Sequence, residues 1–103
     1  ILSLMGHMHS RGTHYRIDHR ADVGLDTVYD LEWIGGEHPH YPMITSYDPG
    51  EFPVAEGDSL QTTCDWTNTE DHDLVFPEEM CTTIVVMYPL EHPRTCIRGQ
   101  YQD

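Results

Sequence analysis

Hydrophobic and polar positions alternate along much of the chain, with the period of two that is typical of β-strands. Strand-forming runs cover residues 1–9, 13–17, 28–34, 59–67 and 80–89. Between them lie Gly- and Pro-rich turns and one long acidic connection, at residues 11–12, 35–42, 48–50, 56–58 and 67–79. Convincing helical periodicity is absent from the sequence. The pattern predicts an all-β protein, a β-sandwich or barrel, with residues 1–103 as a single domain.

Charge and composition exclude two classes of partner. The 103 residues carry a formal net charge of −13, and all five basic residues are arginines. Such a surface repels a phosphate backbone, so we expect no nucleic-acid partner. No apolar run approaches the roughly 20 residues that span a bilayer, so we expect no membrane span. The chain begins at Ile1 without a signal-peptide pattern, which suggests a processed or excised piece.

The segment GHMHSRG, residues 6–12, carries two histidines one residue apart. In a strand, His7 and His9 point to the same side and present two imidazoles together. Neutral imidazole binds copper, zinc, iron and nickel. The pair is therefore either a metal platform or two ordinary surface histidines in a chain that has eight.

Other polar candidates are interpreted as ordinary surface groups. A second such pair, His38 and His40, flanks Pro39 in a loop where alternation is not enforced, so we interpret both as exposed. Glu78 and Glu79 could hold a cationic amine, but solvated loop charges are the favoured interpretation. The remaining histidines are interpreted as surface residues or local hydrogen-bond partners: His14, His19, His72 and His92.

Met80 opens the strongest predicted strand, MCTTIVVMYP, between acidic residues and Cys81. That is an unusual setting for a methionine that only fills a core. Cys64 lies in the preceding strand, and a disulfide to Cys81 would close the acidic connection and stabilise the fold by about 3 kcal/mol. The alternative is two buried free thiols in a reducing compartment.

These segments occur in an order that resembles a known family. GHMHSRG is followed by GDSL and TCDWTN, then by EEMC before an apolar strand and YP. The order resembles the C-terminal catalytic domain of the copper type II, ascorbate-dependent monooxygenases, which include the peptidylglycine α-hydroxylating and dopamine β-monooxygenases. The resemblance extends from Met5 to Cys96. It implies an antiparallel jelly-roll β-sandwich.

The resemblance also assigns residues. It implies that His7, His9 and Met80 are the ligands of the catalytic copper, and that Cys64 and Cys81 form a disulfide. The family partner of Cys96 lies upstream of the HxH strand and has no counterpart here, so we expect a free thiol. Two imidazoles and a thioether suit Cu(I) and leave room for O2, whereas zinc more often takes a third His, Cys or carboxylate.

The implied activity is hydroxylation of a C–H bond in an organic substrate, with electrons from ascorbate supplied through a second copper domain. Two alternatives remain open from the residues. One is a copper carrier or storage module without turnover. The other is a structural β-sandwich in which the His7 and His9 pair binds nothing.

The chain departs from the family in three respects. It has no room for the N-terminal domain that holds the second copper. It also lacks strands that precede the HxH strand in relatives, so we expect exposed edges and self-association or strand exchange. In the peptide-hydroxylating branch, an Arg, an Asn and a Tyr hold a substrate carboxylate. The corresponding positions in this chain are Met5, Thr82 and Ile84, which suggests a less charged substrate. An implied disulfide suggests an extracellular or periplasmic location.

Overall fold

The computed structural model describes residues 1–36, 38, 43–75, 78–89, 92–97 and 100–102. The strands are β1 Ser3–His7, β2 Gly12–Ala21, β3 Gly24–Glu32, β4 Ile44–Ser46, β5 Ser59–Trp66, β6 Thr82–Val86, β7 Thr95–Ile97 and β8 Gln100–Gln102. The described residues contain no helix, and accordingly none that could cross a membrane. The all-β prediction is confirmed.

Two antiparallel sheets form the body of the described fold. The first has the strand order β4–β1–β6 and the second has the order β3–β2–β5, while β7 and β8 pair with each other. Residues from both sheets share one buried cluster, which makes the fold a β-sandwich as expected. Its jelly-roll connectivity stays a prediction.

The core follows from strand alternation. Leu4 of β1 is fully buried, as is Met8 just beyond that strand, and they meet Tyr15 and Ile17 of β2. Trp33, which follows β3, is also buried in this cluster. Because successive side chains of a strand point to opposite faces, burying Leu4 turns its neighbours toward the outer face of the first sheet.

Tyr15 links the two sheets across the core. Its hydroxyl donates to the carbonyl of Thr82 at 2.6 Å and lies 2.5 Å from the hydroxyl oxygen of Thr83, both on β6. The Thr83 hydroxyl also bonds to that of Thr62 on β5. This polar chain inside the sandwich fixes β6 relative to the second sheet, at the end of β6 that follows Met80.

Candidate metal centre

His7 and His9 lie on the same side of the chain, as alternation predicts. His7 ends β1, and Met8 between the two histidines is fully buried, so the imidazoles point away from the core. Both histidines are partly buried. Their ring centroids are 5.1 Å apart and their planes stand at 81°. The two rings therefore face one small region at the end of the first sheet.

Met80 lies next to His9 through its backbone. Strand β1 pairs with β6 as far as His7 and Thr82, and Met80 lies two residues before Thr82. The amides of His9 and Met80 both donate to Oε1 of Glu79, at 2.5 Å and 3.2 Å. The backbones of all three predicted ligand residues therefore lie at one end of the β1–β6 pair, and Met80 is partly buried there.

Hydrogen bonding settles which nitrogen of His9 is available. Its Nδ1 lies 3.1 Å from the carbonyl oxygen of Glu78. A carbonyl only accepts, so Nδ1 carries a proton, and in the neutral ring the lone pair is then on Nε2. Metal-binding histidines commonly donate their second nitrogen to a carbonyl in this way, which fixes the ring and its tautomer.

The surroundings of His7 favour the form that binds metals. Burial lowers the pKa of His7, the neighbouring His9 lowers it further, and the Glu79 carboxylate opposes both effects. A lowered pKa favours the neutral imidazole, whose lone pair a metal requires. Among the described residues, no hydrogen bond occupies either ring nitrogen of His7.

Glu79 corrects one interpretation made from the sequence. It is not a solvated loop charge, because its residue is only 5% exposed. Its carboxylate accepts the amides of His9, Met80 and Arg11, the last through Oε2 at 3.3 Å. These amides belong to segments without ladder partners, and a buried amide needs an acceptor. Glu78, by contrast, is exposed and lies 2.5 Å from Nε2 of His72.

The predicted disulfide is present. Cys64 and Cys81 are bonded, with Cα atoms 5.9 Å apart and a sequence separation of 17. The bond joins β5 of the second sheet to the residue that follows Met80. Cys96 is a free and exposed thiol, as expected.

The other histidines have local roles, with one correction. His14, His19 and His72 bond to carboxylates of neighbouring strands or loops, and His92 is exposed, as interpreted. His38 is not exposed: it is buried against the Trp33 ring, and its Nδ1 accepts the amide of Ile34 at 2.9 Å. Its predicted companion, His40, lies outside the described residues.

The described residues add no third His, Cys, Asp or Glu donor to the two histidines. Within the described part of the chain, no three His, Cys, Asp or Glu side chains come together as a metal site. The Glu79 carboxylate is already engaged by three amides. Met80 as the third ligand therefore stays a prediction; a thioether in that role would select Cu(I) rather than zinc.

An apolar surface adjoins the histidines on the outer face of the first sheet. Met5 shares that face with His7, because the two residues alternate with buried Leu4 and Gly6. Met5 pairs with Ile44 on one side and with Ile84 on the other. These isoleucines are 61% and 46% exposed, so an apolar row crosses the sheet one pleat away from His7.

Comparison of the chain with protein-family models, with curated proteins and with solved structures finds no match. The likeness to the copper monooxygenases therefore depends on the order and spacing of the motif residues alone.

Proposed function

We propose that this chain is the catalytic-copper domain of a copper-dependent monooxygenase that hydroxylates a C–H bond of an organic substrate. The observation that carries the proposal is the His7 and His9 pair, in which a carbonyl engages Nδ1 of His9. The backbone of Met80 lies beside His9, because both amides donate to the same oxygen of Glu79. A copper ion held by these side chains would supply activation of O2, with electrons drawn from ascorbate.

The protein contributes neutral, oriented ligands. The carbonyl of Glu78 engages Nδ1 of His9 and leaves Nε2 for a metal, and burial lowers the pKa of His7, which favours its neutral form. The thioether of Met80 adds a soft, uncharged donor that favours Cu(I) over Cu(II). A ligand set of two imidazoles and one thioether leaves coordination positions open for O2, in the manner of other catalytic metal sites.

The apolar row supports a weakly charged substrate. Met5, Ile44 and Ile84 lie beside His7, and this row has no cationic side chain that could pair with a carboxylate. A hydrocarbon or aromatic portion of the substrate would cover exposed isoleucines and gain about 25 cal/mol per Å² of apolar area removed from water. The C–H bond to be oxidised would belong to that portion.

The second copper centre belongs, in this proposal, to a separate domain or partner. The Cys64–Cys81 disulfide supports an extracellular or periplasmic location, since such bonds persist in oxidising compartments. A copper carrier with the same ligands is the competing function, and turnover with ascorbate, O2 and an apolar substrate separates the two.

The test is an anaerobic Cu(I) titration combined with copper X-ray absorption, on the wild type, Met80→Ala and Met5→Ala. We expect one copper per chain, with two nitrogen scatterers and one sulfur that is lost in Met80→Ala. Met5→Ala is the matched control, because Met5 lies on the face of His7 and should leave the sulfur in place. No stoichiometric binding, or a sulfur signal that survives loss of Met80, would refute the proposed site.

A further inference from the structure

The proposed copper site draws its ligands from two segments that are distant in sequence. The ladder between β1 and β6 ends at His7 and Thr82, so His9 and Met80 both lie beyond its last pair. Another interaction has to hold these two residues together. Without one, each segment could move independently, and a metal site that needs both would lose its geometry.

We propose that Glu79 is the positioning residue of this site. Its buried carboxylate holds together the turn at residues 9–12 (the His9 turn) and the chain at residues 78–81 (the Met80 segment). Oε1 accepts the amides of both His9 and Met80, at 2.5 Å and 3.2 Å, and Oε2 accepts the amide of Arg11 at 3.3 Å. One carboxylate therefore bonds to the backbone of two ligand residues. The inference rests on the proposed copper function, because that function makes the relative position of His9 and Met80 matter.

Other links between the two segments are weaker. Nδ1 of His9 lies 3.1 Å from the Glu78 carbonyl oxygen, but this contact is exposed to solvent and involves the ring of His9 rather than its backbone. Arg11 pairs with Glu70 at 2.6 Å, but both side chains are solvent-accessible, and exposed ion pairs contribute little. The guanidinium of Arg11 lies 3.5 Å from the Glu78 carbonyl, at the limit of a hydrogen bond. The disulfide ties Cys81 to Cys64 of β5, and so does not reach the His9 turn.

Burial makes the Glu79 contacts strong. The residue is 5% exposed, and hydrogen bonds from amides to a carboxylate are shorter and stronger than neutral ones. A glutamine at this position could offer only one acceptor oxygen. Its NH2 group would face an amide N–H, donor against donor, so at least one of the three bonds would be lost.

The experiment compares Glu79→Gln with Glu78→Gln, using Cu(I) affinity and copper X-ray absorption on each full chain. The neighbouring Glu78 is a matched control, because its contact with His9 is made by the backbone carbonyl, which the substitution keeps. We expect Glu79→Gln to bind Cu(I) about 10–100-fold more weakly, the usual cost of losing a supporting hydrogen bond behind a metal ligand. We also expect it to lose the sulfur scatterer while both nitrogens remain, which general destabilisation would not produce. Glu78→Gln should match the wild type.

Glu79→Gln with unchanged affinity and an intact sulfur signal would overturn the positioning role. Amide hydrogen exchange on the metal-free wild type gives a second test that needs no variant to fold. The amides of His9, Arg11 and Met80 should all be protected, and exchange of these amides at unprotected rates would also overturn it. A third outcome is that these amides are protected but copper bound to the wild type has no sulfur ligand. That outcome would refute the proposed function and leave Glu79 as a structural link.

Discussion

The phenol ring of Tyr15 occupies the space that a side chain at Gly6 would need. A Cβ built on Gly6 overlaps the ring carbons of Tyr15, which crosses from the second sheet to the first. The first glycine of GHMHSRG is thus required by packing between the sheets. The last one, Gly12, is similarly close, since a Cβ there would lie 2.8 Å from Cδ1 of Trp33. The two histidines therefore lie between two glycines that are each in close contact with a buried aromatic ring.

Gly6→Ala is therefore expected to destabilise the fold, although alanine normally stabilises a strand relative to glycine. Overpacking a filled core costs about 1–3 kcal/mol. Urea denaturation followed by tryptophan fluorescence should show this loss. The matched control is Gly36→Ala, because a Cβ at Gly36 meets nothing within 4 Å. Equal stability of the two variants would contradict the packing argument.

Tyr15→Phe should destabilise the protein through its lost hydroxyl alone. The carbonyl of Thr82 and the hydroxyl of Thr83 would lose their 2.6 Å and 2.5 Å partner inside the sandwich. The Thr83 hydroxyl keeps its bond to Thr62, but the loss of hydrogen bonds inside a protein still costs about 1–3 kcal/mol. Tyr88→Phe serves as the control, because Tyr88 is 83% exposed. Chemical denaturation of both variants measures the difference, and a Tyr15→Phe protein as stable as the control would contradict the link.

The sequence predicts the parts of this fold in which apolar residues alternate. The strands β1, β5 and β6 fall within predicted runs, and the shared side of His7 and His9 follows from strand geometry alone. The strand β2 extends beyond the predicted 13–17 to Ala21, because Asp18 is buried rather than turned to water. Its carboxylate is satisfied by Arg16 Nε at 3.0 Å and by the Thr27 hydroxyl at 2.7 Å, partners that no local pattern shows.

Other features depend on contacts between distant residues. The short strands β4, β7 and β8 have three residues each, too few to display an alternation. Glu78 and Glu79 are adjacent residues of the same type, yet Glu78 is exposed and Glu79 is buried. The difference arises because the His9 amide, 70 residues away in sequence, needs an acceptor. His7, His9 and Met80 could be proposed as metal ligands from the sequence, whereas the carboxylate that links the backbones of His9 and Met80 could not.

Loss of the disulfide should destabilise the fold without involving the third cysteine. Replacing both Cys64 and Cys81 by serine removes the cross-link that spans 17 residues, and loop-closure entropy sets the expected loss at about 3 kcal/mol. Cys96→Ser should have no effect, because that thiol is free and exposed. Thermal unfolding with and without a reductant checks both statements. A reductant that lowers the melting temperature of the double variant as much as that of the wild type would contradict this role.

His72 should titrate above its ordinary range because of Glu78. The hydrogen bond to Glu78 raises the pKa of His72 from 6.5, and a second bond to Asp71 raises it further. The folded state therefore holds this proton more tightly than the unfolded chain. The resulting stabilisation is fully present below the unfolded value of 6.5 and is lost as the pH rises through the raised folded pKa.

An NMR titration of the histidine ring protons measures this directly. Glu78→Gln removes the main partner, so the pKa of His72 should fall toward 6.5, whereas Asp71→Asn should lower it less because the 3.1 Å contact is the secondary cause. The two groups are exposed, so added salt should weaken the shift in the wild type. An identical His72 pKa in the wild type and in Glu78→Gln would show that the 2.5 Å contact is not maintained in solution.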